Sequence, residues 1–447
     1  MNLALRCVMP GFEGTTAPDW LRRGASEGLG GVVLFGRNIV DRDQLASLIA
    51  AIHAERPEII VAIDEEGGDV TRLDARTGSS YPGNLALGAA GDPSLTEQVG
   101  RAIGAELAAL GIDLNFAPVA DVNADPQNPV IGVRSFGSDA ARVSDHTAAW
   151  VRGHQAAGVA ACAKHFPGHG ATSVDSHVDL PVGASELRPF EAAIGAGVQA
   201  VMSAHVVAPE IDDLPATISR KAMTGVLRGE LGFDGVAITD GLDMRGISGE
   251  RGIPNAAVRA VRAGCDALCV GGAPTGPEIV DEIVAALVIG VTDERLAEAA
   301  ARVDALAAWR AGHRSRPLAA RDAGLVAARR ALRVSGDVKV REDAAVVRFD
   351  TTPSIAAGEI PWGMADALAE RGVRVGPKGQ SLVLVVRDLH RNPQHVDAVE
   401  ALLATRPDAI LVEMGVPVCR PSRAANYIAT HGSARVCAQA AAEVMRP

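Results

Sequence analysis

Eight short apolar runs separated by amphipathic stretches constrain this chain more than any other feature. The runs fall at 5–9, 31–35, 59–63, 112–118, 159–165, 200–205, 236–240 and 267–270. Each is too short for a core helix and is bounded by turn-forming or charged residues, so each predicts a buried strand. Between most of them, stretches such as 41–54, 93–110, 140–157 and 185–196 carry apolar residues at helical spacing. Eight β–α units in succession predict an α/β fold of the TIM (β/α)8 type rather than an open doubly wound sheet. Polar residues gather where the runs end: Asp64, Asp121, Lys164 with His165, His205 and Asp240. In a barrel, the carboxyl ends of the strands carry the chemistry.

A chain of 447 residues exceeds one ordinary core. Residues 1–315 are expected to form the barrel, 316–344 a helical linker, and 345–447 a smaller, sandwich-like α/β domain. The Arg/Ala-rich segment 292–334 reads as helical and the polar stretch 335–344 as connecting chain. In the last domain, strands are expected at 345–349, 382–386 and 409–412, and helices at 362–371, 394–404 and 434–445. Apolar residues make up 48 % of the chain but aromatics only 3 %, so small aliphatic side chains must fill the cores. A net charge of −11 without long charge runs argues against nucleic acid or acidic membranes as partners. The start, MNLALRCVMPGFEG, lacks a basic leader and a cleavage pattern, and no window approaches 18 apolar residues. A cytoplasmic protein, monomeric or homodimeric, is the expectation. The cysteines Cys7, Cys162, Cys265, Cys269, Cys419 and Cys437 form no CxxC pair and are expected to be reduced.

The densest chemistry lies in AKHFPGHGATSVDSHVDLP, which holds Lys164, His165, His169, Asp175 and His177. Lysine is rare here, four among 43 basic residues, which sets Lys164 apart. Asp175 and His177 stand two apart, so in an extended loop they face the same way. The carboxylate can then accept the imidazole N–H and make His177 a better base. Lys164 and His165 would face opposite ways in a strict strand, unless the turn at Pro167–Gly168 relaxes it. Asp240 closes VAITD with a glycine after it, which suits either a nucleophile open to a ligand or a cap on the next helix. Asp64, Glu65 and Glu66 precede two glycines and could accept hydroxyl protons of a polyhydroxylated ligand, with Arg72 neutralising one of them. Arg134 lies in a loop, VIGVRSFG, where an arginine alone is a weak signal.

Taken together, DEEGGDVTRL, NFAPVADV, RSFG, AKHFPGHGATSVDSH, SAHV and GFDGVAITDGLDM resemble glycoside hydrolase family 3 in its β-N-acetylglucosaminidase branch, of the two-domain type. The motifs span residues 1 to about 310 in the family's order, and KHFPGHG…DSH is the most specific of them. The resemblance implies a retaining double displacement that removes terminal β-linked GlcNAc from muropeptides or chitooligosaccharides. By matching position, Asp240 would be the nucleophile and His177 the general acid and base, oriented by Asp175. Asp64, Arg72, Arg134, Lys164 and His165 would hold the sugar. This departs from the two-carboxylate pattern of most retaining glycosidases. No metal and no organic cofactor is implied. Two features depart from the family: Asp69, where many relatives carry a basic or apolar residue, and the short final domain. Three alternatives are weighed beside this reading. A phosphorylase would use inorganic phosphate as acceptor. A metal-dependent amidohydrolase barrel is disfavoured because ALRCVM lacks a His-x-His. A non-catalytic sugar-binding protein would not need the Asp240 and Asp175/His177 set.

Overall fold

The computed structural model describes residues 2–172, 180–249, 252–272, 276–313 and 322–446. Eight parallel strands come first: β1 (Val8–Pro10), β2 (Gly31–Leu34), β3 (Ile60–Ile63), β4 (Leu114–Asn115), β5 (Ala160–Phe166), β6 (Ala200–Ser203), β7 (Val236–Thr239) and β8 (Leu268–Val270). Strands β2 to β7 pair consecutively, and β1 pairs with β8. A parallel bridge from Ile238 to Ala267 joins β7 to β8. On the other side, Gly30 N–H donates to Leu5 O at 3.2 Å. A Cβ on Gly30 would lie 2.1 Å from Arg6 O, so only glycine permits this approach. The ring is thus a closed barrel.

Helices follow the strands in alternation. Helix Pro93–Leu110 shows how sequence sets its limits: Asp92 caps it by accepting from Ser94 and Leu95 N–H, Pro93 opens it, and left-handed Gly111 ends it. The barrel interior is filled by Met9, Val33, Ile60, Leu114, Phe116, Met202 and Ile238, and one end is plugged by Val303 and Leu306 of helix Asp293–Gly312. This is a packed core, leaving only the opposite mouth for a ligand.

Six further strands follow: β9 (Arg333–Ser335), β10 (Asp343–Arg348), β11 (Arg374–Val375), β12 (Ser381–Val386), β13 (Ile410–Glu413) and β14 (Asn426–Ala429). They form one sheet in the order β11-β10-β12-β13-β14-β9, parallel except for β9. Apolar side chains pack on both faces of this sheet, under helices Ala365–Glu370 and Arg435–Met445 on one and Pro393–Thr405 on the other. No described helix is long and apolar enough to cross a membrane.

Several expected elements shift. Residues 5–9 split into a short helix, Leu3–Arg6, and β1, because Asn2 caps the turn by accepting from Leu5 N–H. The run 112–118 keeps only Leu114–Asn115 as strand. Ala117 N–H turns back to Asn115 O at 2.8 Å, and Pro118 has no N–H to give. Part of the stretch 316–344 is helix Ala323–Ala331 and strand β9, which pairs with β14 instead of acting as a free connector.

Candidate active site

At the barrel mouth lies a cavity of about 300 Å³ lined by Asp64, Arg72, Arg134, Lys164, His165 and Asp240. Six of the eight residues singled out from the sequence therefore meet in one place. Asp175 and His177 lie outside the described residues.

Strand β5 delivers Lys164 and His165. The pairing register with β6 shifts between Lys164 and Phe166, and the Lys164–His165 peptide is cis. The register shift breaks strict alternation, and both side chains line the same cavity. Lys164 Nζ contacts Asp64 Oδ1 at 2.6 Å and Glu66 Oε1 at 2.8 Å. Glu66 also takes a two-pronged contact from Arg134, Nη2 to Oε1 at 2.7 Å and Nε to Oε2 at 3.0 Å. Burial alone would raise the Glu66 pKa, but Arg134 and Lys164 outweigh it and hold the carboxyl well below the usual range. Burial likewise disfavours the Lys164 cation, and Asp64 and Glu66 reverse this, raising its pKa. Arg72 Nη2 stands 3.8 Å from Asp64 Oδ2. Around the cavity, the carboxylates of Asp64, Glu66, Asp240 and Asp243 thus face the cations of Lys164, Arg134, Arg72 and Arg37, four against four.

His165 is oriented from below. Asp121, fully buried, accepts from His165 N–H and His169 N–H, and its Oδ2 lies 2.7 Å from His165 Nδ1. Burial would raise the Asp121 pKa, but the two histidines and these bonds lower it. With Nδ1 held by the carboxylate, Nε2 of His165 is the ring nitrogen left for a cavity ligand. His169 Nδ1 pairs with Thr172 Oγ1 at 2.8 Å, and burial lowers the pKa of His169.

Asp240 follows β7. Its Oδ1 accepts Gly241 N–H at 2.8 Å, while its own N–H donates to Ser203 O. The next short helix, Arg245–Ser248, has Met244 at its cap position, so Asp240 does not cap it. His205 braces the turn, with Nδ1 on Thr217 Oγ1 and Nε2 on Gly241 O.

Glu66 and Asp121 carry much of this organisation, yet the sequence offered Glu66 only as one of three acids for ligand hydroxyls and Asp121 only as a polar strand end. Glu66 was one of three adjacent acids, and nothing local says which one meets Arg134, 68 positions away. Asp121 was visible as a strand-end acid. Asp69 turns away from the cavity: it accepts from Ser433 N–H and Oγ–H and pairs with Arg387 at 2.9 Å. The carboxyl-terminal unit in turn reaches the site, because Ile355 and Ala356 line the cavity and Arg72 Nη2 donates to Ala356 O at 3.1 Å.

Comparison with known proteins agrees with this geometry. Residues 15–306 match the glycosyl hydrolase family 3 N-terminal domain. The chain is 41 % identical over 285 residues to a β-hexosaminidase of Stenotrophomonas maltophilia (strain R551-3), covering 60 % of this chain and 82 % of that protein. A family 3 β-N-acetylglucosaminidase from Paenibacillus sp. FPU-7 matches in structure over 100 % of this chain and 98 % of its own, with a TM-score of 0.89 and 32 % identity. NagZ from Neisseria gonorrhoeae, solved with N-trifluoroacetyl-D-glucosamine, matches 69 % of this chain and 96 % of its own, with a TM-score of 0.58 and 33 % identity. Ordered motifs, a closed barrel, a charged mouth and full-length structural likeness lead to one assignment: the chain belongs to glycosyl hydrolase family 3, in its β-N-acetylglucosaminidase (β-hexosaminidase) branch.

Proposed function

We propose that this protein is a retaining exo-β-N-acetylglucosaminidase that acts on muropeptides or chitooligosaccharides, in the cytoplasm. The observation that carries the reading is the Asp240 carboxylate facing an ion-paired set of Asp64, Glu66, Lys164 and Arg134 across one cavity. Such pairs hold donors and acceptors in fixed positions before the sugar arrives. Lys164 has three N–H donors, of which Asp64 and Glu66 take two, leaving one for a sugar oxygen. Asp64 keeps part of its surface open to accept hydroxyl protons. His165 presents Nε2 beside them, and Arg72 completes the wall.

In this reading Asp240 attacks the anomeric carbon and forms a covalent glycosyl-enzyme. His177, oriented by Asp175, first protonates the departing oxygen and then deprotonates the incoming water. The hydrogen bonds of Asp64, Arg72, Arg134, Lys164 and His165 tighten as the ring distorts toward the transition state.

The test is to trap the enzyme with a 5-fluoro-GlcNAc fluoride and map the label. Asp240 is the expected site, and a label on any other residue sinks the assignment. Parallel product analysis with and without inorganic phosphate checks the acceptor. Free GlcNAc in both arms is expected; GlcNAc-1-phosphate as the main product would replace water by phosphate.

A further inference from the structure

The strands of the barrel are not joined equally. Strands β2 to β7 form one continuous sheet, and β1 and β8 form a separate pair between its two ends. Asp240 leaves β7, at one end of that sheet, so the carboxylate read above as the nucleophile stands at a seam. On the β7 side of the seam, backbone bonds reach as far as Leu242 N–H, which donates to Cys269 O at 3.0 Å. On the β2 side, the bond from Gly30 N–H to Leu5 O lies at the amino end of the strands, away from the mouth.

At the mouth, side chains close the seam. Asp243 Oδ1 accepts Gly271 N–H at 3.2 Å, and Arg37 Nη2 donates to Gly271 O at 2.7 Å. The first residue after β8 is thus held from the β7 turn on one side and from the β2 exit on the other. Arg37 Nε also donates to Phe12 O at 3.0 Å, just beyond β1, and Glu13 Oε1 lies 3.0 Å from the same nitrogen. The Arg37 guanidinium stands 4.5 Å from the centre of the Phe35 ring. The approach is close enough to demand glycine. A Cβ on Gly271 would lie 2.3 Å from Phe35 Cζ, and one on Gly272 would lie 1.8 Å from Asp243 Oδ2. Asp243 shares its turn with Asp240: Met244 N–H donates to Gly241 O, the peptide oxygen that His205 Nε2 also holds.

From this arrangement we infer that Arg37 and Asp243 are positioning residues, which grip Gly271 from both sides and so hold the Asp240 turn where attack on the anomeric carbon requires it. They act through Gly271 and the turn. An error of about 1 Å in placing a reacting group costs on the order of a hundredfold in rate, so a loosened turn should show in the attack step. The inference rests on the reading of Asp240 as the nucleophile.

The test uses the full-length protein and dinitrophenyl β-GlcNAc, whose leaving group departs without a proton, so that kcat/KM reports attack rather than proton transfer. Calorimetric binding of free GlcNAc reports whether the sugar-holding residues are intact. Arg37→Ala should lower kcat/KM roughly tenfold and Asp243→Ala roughly a hundredfold, with GlcNAc affinity changed less than about twofold. Asp243→Asn keeps an acceptor for Gly271 N–H and should keep most of the rate. The double alanine variant should be no slower than Asp243→Ala, because both side chains hold one residue. Multiplied losses in the double variant, rate and GlcNAc affinity falling together, Asp243→Asn as slow as Asp243→Ala, or rates that no variant changes would each overturn the inference and leave the glycosidase reading standing. Arg37 is partly exposed and lies outside the turn, so Arg37→Ala read against Arg37→Lys carries the same comparison if Asp243→Ala does not fold. A wild type that leaves the dinitrophenyl substrate intact would overturn both.

Discussion

Replacing Glu66 by Gln removes one charge and almost no volume from the centre of the site. In the native cluster, Glu66 is 3 % exposed and accepts from Arg134 twice and from Lys164 once. A glutamine with its carbonyl at the Oε1 position keeps two acceptor contacts, both weaker. Its amide then points N–H toward Arg134 Nε, donor against donor. Lys164 would keep Asp64 as its counter-charge, while Arg134 would lose the one ion pair it makes among the described residues. Breaking one member of a buried ion-paired set costs about 3–5 kcal/mol. A typical domain stability of about 5–15 kcal/mol would absorb that loss, so the variant should fold. Urea melts followed by tryptophan fluorescence would read mainly the barrel, which holds three of the four tryptophans, Trp20, Trp150 and Trp309, with Trp362 in the carboxyl-terminal unit. The pH dependence is a second check. Because the native Glu66 pKa is depressed, its contribution is fully present above the ordinary glutamate value and is lost as pH falls through the native one. The stability gap between wild type and variant should be flat from about pH 5 to 8 and narrow below about pH 4.5. A gap below about 1 kcal/mol at pH 7 would refute the view that this charge organises the cluster.

Burial pushes the Glu65 carboxyl up to about 7 although it accepts from Arg72 and Leu73 N–H. The folded protein then holds a proton that the unfolded chain releases, so this group's contribution falls as pH rises from about 4.5 to 7, by about 3 kcal/mol. Glu65→Gln should remove that slope, and equal slopes in both proteins would contradict it. Arg387→Ala strips the buried Asp69 of its counter-charge and should cost about 3 kcal/mol, seen as a lower urea midpoint. A loss under about 0.5 kcal/mol would mean the pair does not tie the two units together. A Cβ at Gly153 would sit 1.9 Å from Glu97 O, where helix Ala140–Ala156 meets Pro93–Leu110. Gly153→Ala should therefore cost about 2–3 kcal/mol, and an unchanged thermal midpoint would argue against contact this close.

The legible parts of the fold were those with local causes. The run at 159–165 became β5 at Ala160–Phe166 because an unbroken apolar stretch ends in a proline turn. The helix at 93–110 carried its own cap and stop. Strands β9 and β11 have three and two residues, too few to show a period, and β14 reads NYIA with a polar start. For the site, residue types and strand ends pointed to Asp64, Lys164, His165 and Asp240. Arg72 was read only as a counter-charge to the acids and Arg134 as a weak loop signal; their sugar-holding role came with the family's motifs. What the chain could not disclose was pairing: Glu66 with Arg134 and Lys164, His165 with Asp121, and Asp69 with Arg387 are all contacts between distant segments. The direction of Asp69 in particular depends on a partner more than 300 positions away.

Strand β9 starts two residues after helix Ala323–Ala331 ends, with Leu332 alone between them. That helix packs against the barrel helices Asn84–Ala90 and Pro93–Leu110. The carboxyl-terminal sheet is therefore stitched to the barrel by a strand with almost no slack. The unit cannot swing as a lid, and any widening of the wall at Ile355 and Ala356 must come from flexing of their own loop. A fragment cut at residue 345 would lose β9 and bare the edge of β14, with its row of unpaired backbone groups open to self-association. Dissection of this protein should begin the second piece ahead of Ala323.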